Sequence, residues 1–294
     1  MGREKIVEAI KKDRVLCADG AWGTLLFQKG LQLGECLVSW CLDRPEDVMS
    51  IAKSYINAGA DIIQTNSFGG NDISLSDFGL EDEAWAINEA AARISRKAAG
   101  EKGWVMASVG PVGKLCSDEL YEVFKKQILA LEKGGADAIC IETMISIREA
   151  VIAVKAAKEH TDLEIICTFT FSSDKEGNFV TLAGESLKTA CTSVIEAGAD
   201  IVGANCCSDI KDLVAIVKEI NTVLPDTPII MQANAGLPKL NEDGIAVYPE
   251  TPETMASITA QLIEAGARII GGCCGTTPAH IKAIKEVIVN RDES

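Results

Sequence analysis

Glu196-Ala197-Gly198-Ala199-Asp200-Ile201-Val202-Gly203-Ala204-Asn205-Cys206 reads as a helix end, a turn and a strand in quick succession. A glycine closes the helix, because only glycine enters the left-handed region without steric cost. The run that follows is apolar at consecutive positions. That pattern suits a strand covered on both faces, as in a parallel sheet.

The same order occurs three more times. Asn57-Ala58-Gly59-Ala60-Asp61 leads into Ile62-Ile63-Gln64-Thr65-Asn66, and Gly134-Gly135-Ala136-Asp137 leads into Ala138-Ile139-Cys140-Ile141-Glu142-Thr143. Glu264-Ala265-Gly266-Ala267-Arg268 leads into Ile269-Ile270-Gly271-Gly272-Cys273. Four further runs have strand character: Val15–Asp19, Trp104–Val109, Ile165–Thr170 and Ile229–Asn234. Helical stretches follow the strands at 46–58, 81–99, 118–133, 146–159, 184–197, 208–223, 252–265 and 278–289. Pro45, Pro252 and Pro278 stand at helix starts, where a missing N–H costs nothing. Eight strand–helix units predict a (β/α)8 TIM barrel occupying 1–294 as a single domain. A doubly wound sheet is the competing arrangement.

The formal charge of −15 offers no basic patch for phosphates, which argues against nucleic acid. No run approaches the roughly 18 apolar residues of a membrane span. The charged amino-terminal segment lacks a signal-peptide core, so a cytoplasmic location is expected. Eleven cysteines without an export signal weigh against disulfides and toward metal or thiol chemistry. With only two histidines, His160 and His280, a histidine-based triad has little to draw on.

Barrel sites form at the carboxyl ends of strands. Those ends carry Asp19, Asn66, Glu142, Asn205-Cys206, Asn234 and Cys273-Cys274. The last pair lies in Gly271-Gly272-Cys273-Cys274-Gly275-Thr276, where glycines let adjacent side chains reach one point despite strand alternation. Cys206, Cys273 and Cys274 together suit zinc, with a fourth position left open for substrate. A vicinal redox disulfide between Cys273 and Cys274 is the other reading. Cys17, Cys140, Cys167 and Cys191 read as small hydrophobes, Cys207 as packing, Trp22 and Trp40 as core or rim, and His280 as a cap or surface residue.

The chain resembles the homocysteine S-methyltransferase family over essentially its whole length. The resemblance rests on Asp19-Gly20-Ala21, Gln64-Thr65-Asn66-Ser67-Phe68, Ile141-Glu142-Thr143, Asn205-Cys206, Asn234-Ala235-Gly236 and the glycine-framed cysteine pair. In length it is nearest to the homocysteine-binding module of cobalamin-dependent methionine synthase. Position 67 is Ser where Thr is usual, and position 22 is Trp where Met, Tyr or Phe is more familiar. The resemblance implies a zinc-dependent transfer of a methyl group to the thiol of homocysteine, giving methionine. It implies Cys206, Cys273 and Cys274 as zinc ligands, Glu142 as the partner of the homocysteine amino group, and Asp19 beside it. Asn66, Asn205 and Asn234 would shape the pocket. The donor stays open between methylcobalamin on a separate corrinoid protein and a sulfonium or betaine small molecule. A non-catalytic zinc-binding or thiol redox-sensing barrel is the alternative function.

Overall fold

The computed structural model describes residues 3–113, 119–207, 212–240 and 246–292. Eight parallel strands are hydrogen-bonded side by side. They are β1 (Leu16–Cys17), β2 (Ile62–Gln64), β3 (Trp104–Val109), β4 (Ala138–Met144), β5 (Glu164–Phe169), β6 (Ile201–Asn205), β7 (Ile229–Ala233) and β8 (Ala267–Gly272). β1 pairs with β8, and a parallel bridge from Ala18 to Ile62 joins β1 to β2, so the sheet closes on itself. The chain is a (β/α)8 barrel, as its repeats predict.

Ten helices are numbered here. α1 (Ile6–Lys11) precedes β1, and α2 (Trp22–Gln28) and α3 (Pro45–Asn57) follow it. Then come α4 (Ala84–Ala99), α5 (Glu119–Lys133), α6 (Ile147–His160), α7 (Leu187–Ala197), α8 (Leu213–Val223), α9 (Pro252–Ala265) and α10 (Pro278–Asp292). Pro45, Pro252 and Pro278 are the first residues of their helices. The helix starts expected at 118 and 208 lie outside the described residues.

The glycine of each repeated turn is left-handed, from φ 101° at Gly135 to φ 119° at Gly266. The aspartate that follows pins neighbouring strands together. Asp61 donates its N–H to the Cys17 carbonyl, and its carboxylate accepts the Cys17 N–H. Asp137 holds Val105 in the same two-way manner, and Asp200 holds Ile165. The roots of β2, β4 and β6 are thereby clamped to those of β1, β3 and β5. The fourth copy has Arg268, which cannot accept a hydrogen bond. There the pairing of β8 with β7 shifts register between Ala267 and Ile269.

Strand alternation sorts residues between two layers. Ile63, Val105, Ile139, Ile165 and Val202 pack outward under the helices. Leu16, Ile62, Met106, Cys140, Ile166 and Ile230 fill the barrel interior. Cys17, Cys140, Cys167 and Cys191 are buried free thiols in these layers, consistent with a packing role.

A short helix absent from the sequence expectation stops the lower end. α1 buries Ile6, Ala9 and Ile10 against the barrel interior. Glu164, at the root of β5, accepts the Ile6 and Val7 N–H groups at 2.6 and 2.8 Å. A carboxylate there satisfies two orphan donors and suits the helix dipole.

The clamp has a measurable consequence. Asp200→Ala strips the side-chain acceptor from the Ile165 N–H and should cost about 1–3 kcal/mol. A lower urea midpoint with an unchanged slope is the expected result; an unchanged midpoint would show that the clamp contributes nothing.

Candidate metal and substrate site

The last inward-facing position on each of six strands is polar. These residues are Gln64, Ser108, Glu142, Thr168, Asn205 and Gln232, all nearly or fully buried. They form one connected network. Gln64 Nε2 donates to Glu142 Oε1 at 2.9 Å, and the Ser108 hydroxyl donates to the same oxygen. Asn205 Nδ2 donates to Glu142 Oε2 at 3.3 Å. Gln232 Nε2 donates to Gln64 Oε1 at 3.1 Å, which fixes that amide. Thr168 donates to Asn205 Oδ1 at 2.9 Å.

Glu142 pays for its burial in proton affinity. Desolvation pushes its carboxyl up to about 6, against the pull of the Ser108 and Gln64 hydrogen bonds. Asp19, just past β1, is wholly buried. Its Oδ2 accepts the Gln64 backbone N–H at 2.9 Å and the Trp22 indole N–H at 3.0 Å, while its Oδ1 has no partner. Burial raises it to about 8.

The three sequence-predicted cysteines come together. Their sulfurs all lie within 4.8 Å of one another, and Cys206 and Cys274 Sγ are 3.6 Å apart. Ligands about 2.3 Å from a tetrahedral zinc sit roughly 3.8 Å from each other. A disulfide needs about 2.05 Å. The spacing therefore fits a shared ion, and all three cysteines are free thiols. They also share charge: hydrogen bonds from Cys206 and Cys273 draw the Cys274 thiol well below its ordinary value.

Local backbone geometry aims these sulfurs. Cys206 adopts φ 56°, in the left-handed region that a non-glycine residue occupies only at a cost. Cys273 donates its N–H to Ala233, the Cys274 carbonyl accepts from Ala235, and Thr276 donates its N–H and hydroxyl to the Cys273 carbonyl. The framing glycines have separate reasons. A Cβ at Gly272 would stand 2.3 Å from Thr276 Oγ1, and Gly275, at φ 80°, lies under the Tyr248 ring.

A cavity of about 380 Å³ joins the thiols to Glu142, with Trp22, Gln64, Asn66 and Phe68 also in its lining. Asn66 donates to the Leu37 carbonyl at 2.8 Å and leaves Oδ1 buried without a partner. Asn205 spends its amide on Glu142, Thr143 and Thr168. Asn234 has a buried, unpartnered Oδ1 and is not in the cavity wall. His280 is the α10 cap: its Nδ1 accepts the Thr277 N–H at 3.1 Å, and its Nε2 donates to the Glu250 carbonyl. Trp40 is buried with the Arg44 guanidinium over its ring, and Cys207 is buried. The reading of Trp22 as packing misses its hydrogen bond to Asp19. Gln64, Ser108, Thr168 and Gln232 escaped the sequence reading as well; the signal was their parity with the inward apolar residues of the same strands.

Residues 16–288 match the family described as homocysteine S-methyltransferase. The chain belongs to the homocysteine S-methyltransferase family. It is 30% identical over 303 aligned residues to methionine synthase of Mycobacterium tuberculosis, which covers 96% of this chain and 25% of that protein. The Mycobacterium leprae methionine synthase is 29% identical over 94% of the chain and 24% of its own length. The chain thus spans about a quarter of these relatives. Among solved structures, it resembles the homocysteine methyltransferase MmuM from Escherichia coli in its metallated form. The TM-score is 0.79, with 24% identity over 94% of this chain and 97% of that one. The apo form of MmuM gives a TM-score of 0.74. This family member therefore combines the family's fold with a three-thiol cluster and a buried carboxylate on one cavity.

The Asp19 carboxyl makes a prediction for the metal-free protein. Between its ordinary value of 3.8 and about 8, the unfolded chain has released a proton that the folded chain keeps. Stability contributed by this group is thus present below the lower value and is lost as pH rises through the window. Asp19→Asn removes the loss, so its melting temperature should exceed that of wild type by about 5 °C or more at pH 8, with a smaller gap at pH 4. A gap that does not grow with pH would contradict the burial of an ionisable group there.

Proposed function

We propose that this protein transfers a methyl group to the sulfur of homocysteine, giving methionine, with zinc as cofactor. One observation carries the reading: three clustered thiols and the buried Glu142 carboxylate face a single cavity. Cys206, Cys273 and Cys274 would hold the ion. Zinc bound there supplies deprotonation of an incoming thiol at neutral pH, where a free thiol with pKa near 8.5 is only a few per cent ionised.

The chain's own residues do the rest. Glu142 receives the substrate ammonium, and its three supporting donors hold it in place for that contact. Neither histidine is placed to act as a general base, since His280 is committed to its cap and His160 lies at the exposed end of α6. The cavity orients the acceptor, and orientation is the main demand of an in-line methyl transfer. A new sulfur–carbon bond forms as the donor's bond to that carbon breaks.

For the donor, a methyl-corrinoid on a separate protein fits better than a small sulfonium or betaine. A cationic donor calls for an aromatic cage. Trp22 and Phe68 are the aromatic residues lining the cavity, and Trp40 is occupied by Arg44. Loops after β2, β5 and β7 expose Phe68, Leu182, Leu237 and Leu240, apolar side chains that a partner protein could cover.

Cys273→Ala should remove zinc and turnover together. Glu142→Ala should keep zinc while weakening homocysteine binding by about 10- to 150-fold, the worth of a hydrogen bond to a charged group. If it strips the metal instead, the role given to Glu142 is wrong. In wild type, homocysteine binding should weaken as pH falls through about 6, where Glu142 gains its proton. Assays with methylcobalamin, S-methylmethionine and betaine separate the donors. Purified protein that binds no zinc and has Cys273 oxidised to Cys274 would favour a thiol redox role and end the methyltransferase reading.

A further inference from the structure

Strand β4 carries an extra residue at its upper end. Ile141 pairs with Cys167 and Met144 with Phe169, so Glu142 and Thr143 together stand opposite Thr168 alone. A bulge of this kind re-aims side chains. Ile139, Ile141 and Met144 lie in the outer layer under the helices, and strict alternation from Ile141 would send Thr143 there as well. Instead Glu142 and Thr143 both line the cavity that holds the thiols. The backbone turns at Thr143, whose φ is 59°. A β-branched residue in that region is strained, and such strain persists only where the surroundings hold it.

Asn205 does the holding. The Thr143 N–H donates to Asn205 Oδ1 at 3.0 Å, and Asn205 Nδ2 donates to Thr143 Oγ1 at 2.7 Å. The same Nδ2 lies 3.3 Å from Glu142 Oε2 and 4.0 Å from Cys273 Sγ. The Thr143 hydroxyl therefore stands beside both the carboxylate and the thiol cluster. Other hydroxyls of the lining spend their hydrogens within the wall. Ser108 donates to Glu142, Ser67 to the Ser108 carbonyl, and Thr65 to Ser67. The Thr143 hydroxyl accepts from Asn205 and, among the described residues, donates to nothing; the residue is half-buried and open to the cavity. Thr24 also keeps its hydrogen, but it sits on helical backbone in α2, where no strain was needed to place it.

The lining has no lysine or arginine, so apart from a bound ion only neutral donors can meet the negative charge of an incoming thiolate. We propose that the Thr143 hydroxyl donates a hydrogen bond to the sulfur of the bound substrate, from the place in the cavity wall to which the β4 bulge turns it. The inference rests on the homocysteine reading and adds to it a residue that touches the reacting atom. Glu142 receives the amine end of the substrate. Its neighbour in sequence, brought to the same side by the bulge, steadies the sulfur end.

The test needs no methyl donor. Zinc-loaded wild type, Thr143→Val, Thr143→Ala and Thr143→Ser are titrated calorimetrically with three thiols: homocysteine, mercaptobutanoate, which lacks the amine, and mercaptopropylamine, which lacks the carboxylate. Thr143→Val keeps the shape and loses the hydroxyl. Thr143→Ala loses it without a branched side chain, and Thr143→Ser keeps it. Both hydroxyl-free variants should weaken all three thiols alike, by about fivefold or more, the worth of one hydrogen bond, while Thr143→Ser stays within about twofold of wild type. With cobalt in place of zinc, the sulfur-to-metal absorption should be unaltered by Thr143→Val before ligand is added and displaced once homocysteine is bound. A loss confined to thiols with a carboxylate, or to those with an amine, would put the hydroxyl at another part of the substrate and overturn the proposal. So would unchanged affinity, failure of Thr143→Ser to preserve binding, or altered cobalt absorption before ligand. Failure of the wild type to bind homocysteine is a different result, since it overturns the substrate reading on which the role depends.

Discussion

Two carboxyl groups are buried at the mouth of this barrel, and one residue touches both. Gln64 gives its backbone N–H to Asp19 and its side-chain amide to Glu142. Isolated carboxylates are costly to bury, and a protein tolerates them where donors are fixed around them. Here the donors come from three strands and α2, so the placement of the acids depends on the register of strands across the barrel. That explains why the upper interior layer is polar throughout while the layer below it is apolar. The unequal satisfaction of the two acids follows as well. Glu142 is surrounded by donors, whereas Asp19 keeps one oxygen bare.

The thiol cluster obeys a different constraint. Strand geometry sends successive side chains to opposite faces, so Cys273 and Cys274 can serve one ion only beyond the end of β8. The bend is made by glycines whose missing side chains leave room for Thr276 and Tyr248. Cys206 meets them from β6 in a backbone conformation that glycine would hold more easily. The strain is borne by a residue whose sulfur is needed, which is where such strain is usually found.

Much of this was legible beforehand for physical reasons. The repeated Gly-Ala turn marks four helix ends by a left-handed glycine and the apolar run after it marks the strand, and both requirements leave a chemical trace; the clamping by the aspartate of three copies shows only in the structure. Glu142 and the cysteines stood out because charged and thiol groups are conspicuous at strand ends. Gln64, Ser108, Thr168 and Gln232 did not, since neutral side chains acquire their importance only when neighbouring strands are in register. α1 escaped because a six-residue helix is too short to show a period. Its stability comes from Glu164, far away in sequence. Trp22 was read by its ring, while its contribution to the site lies in its nitrogen.

Arg268 sets β8 apart. Where three other strands are fastened at the root by an aspartate, this one begins with an irregularity and a cation. At its upper end the strand is tied down further, through Cys273 to Ala233, Cys274 to Ala235 and Thr276 to Ala21. These bonds add to its ladders with β1 and β7, and the irregularity stays at its root. Six other sheet members are joined in pairs at their roots by Asp61, Asp137 and Asp200. The one that leads into two of the three sulfurs has its regular fastening at the end where they must meet, so a change at its root is felt least where the metal would sit.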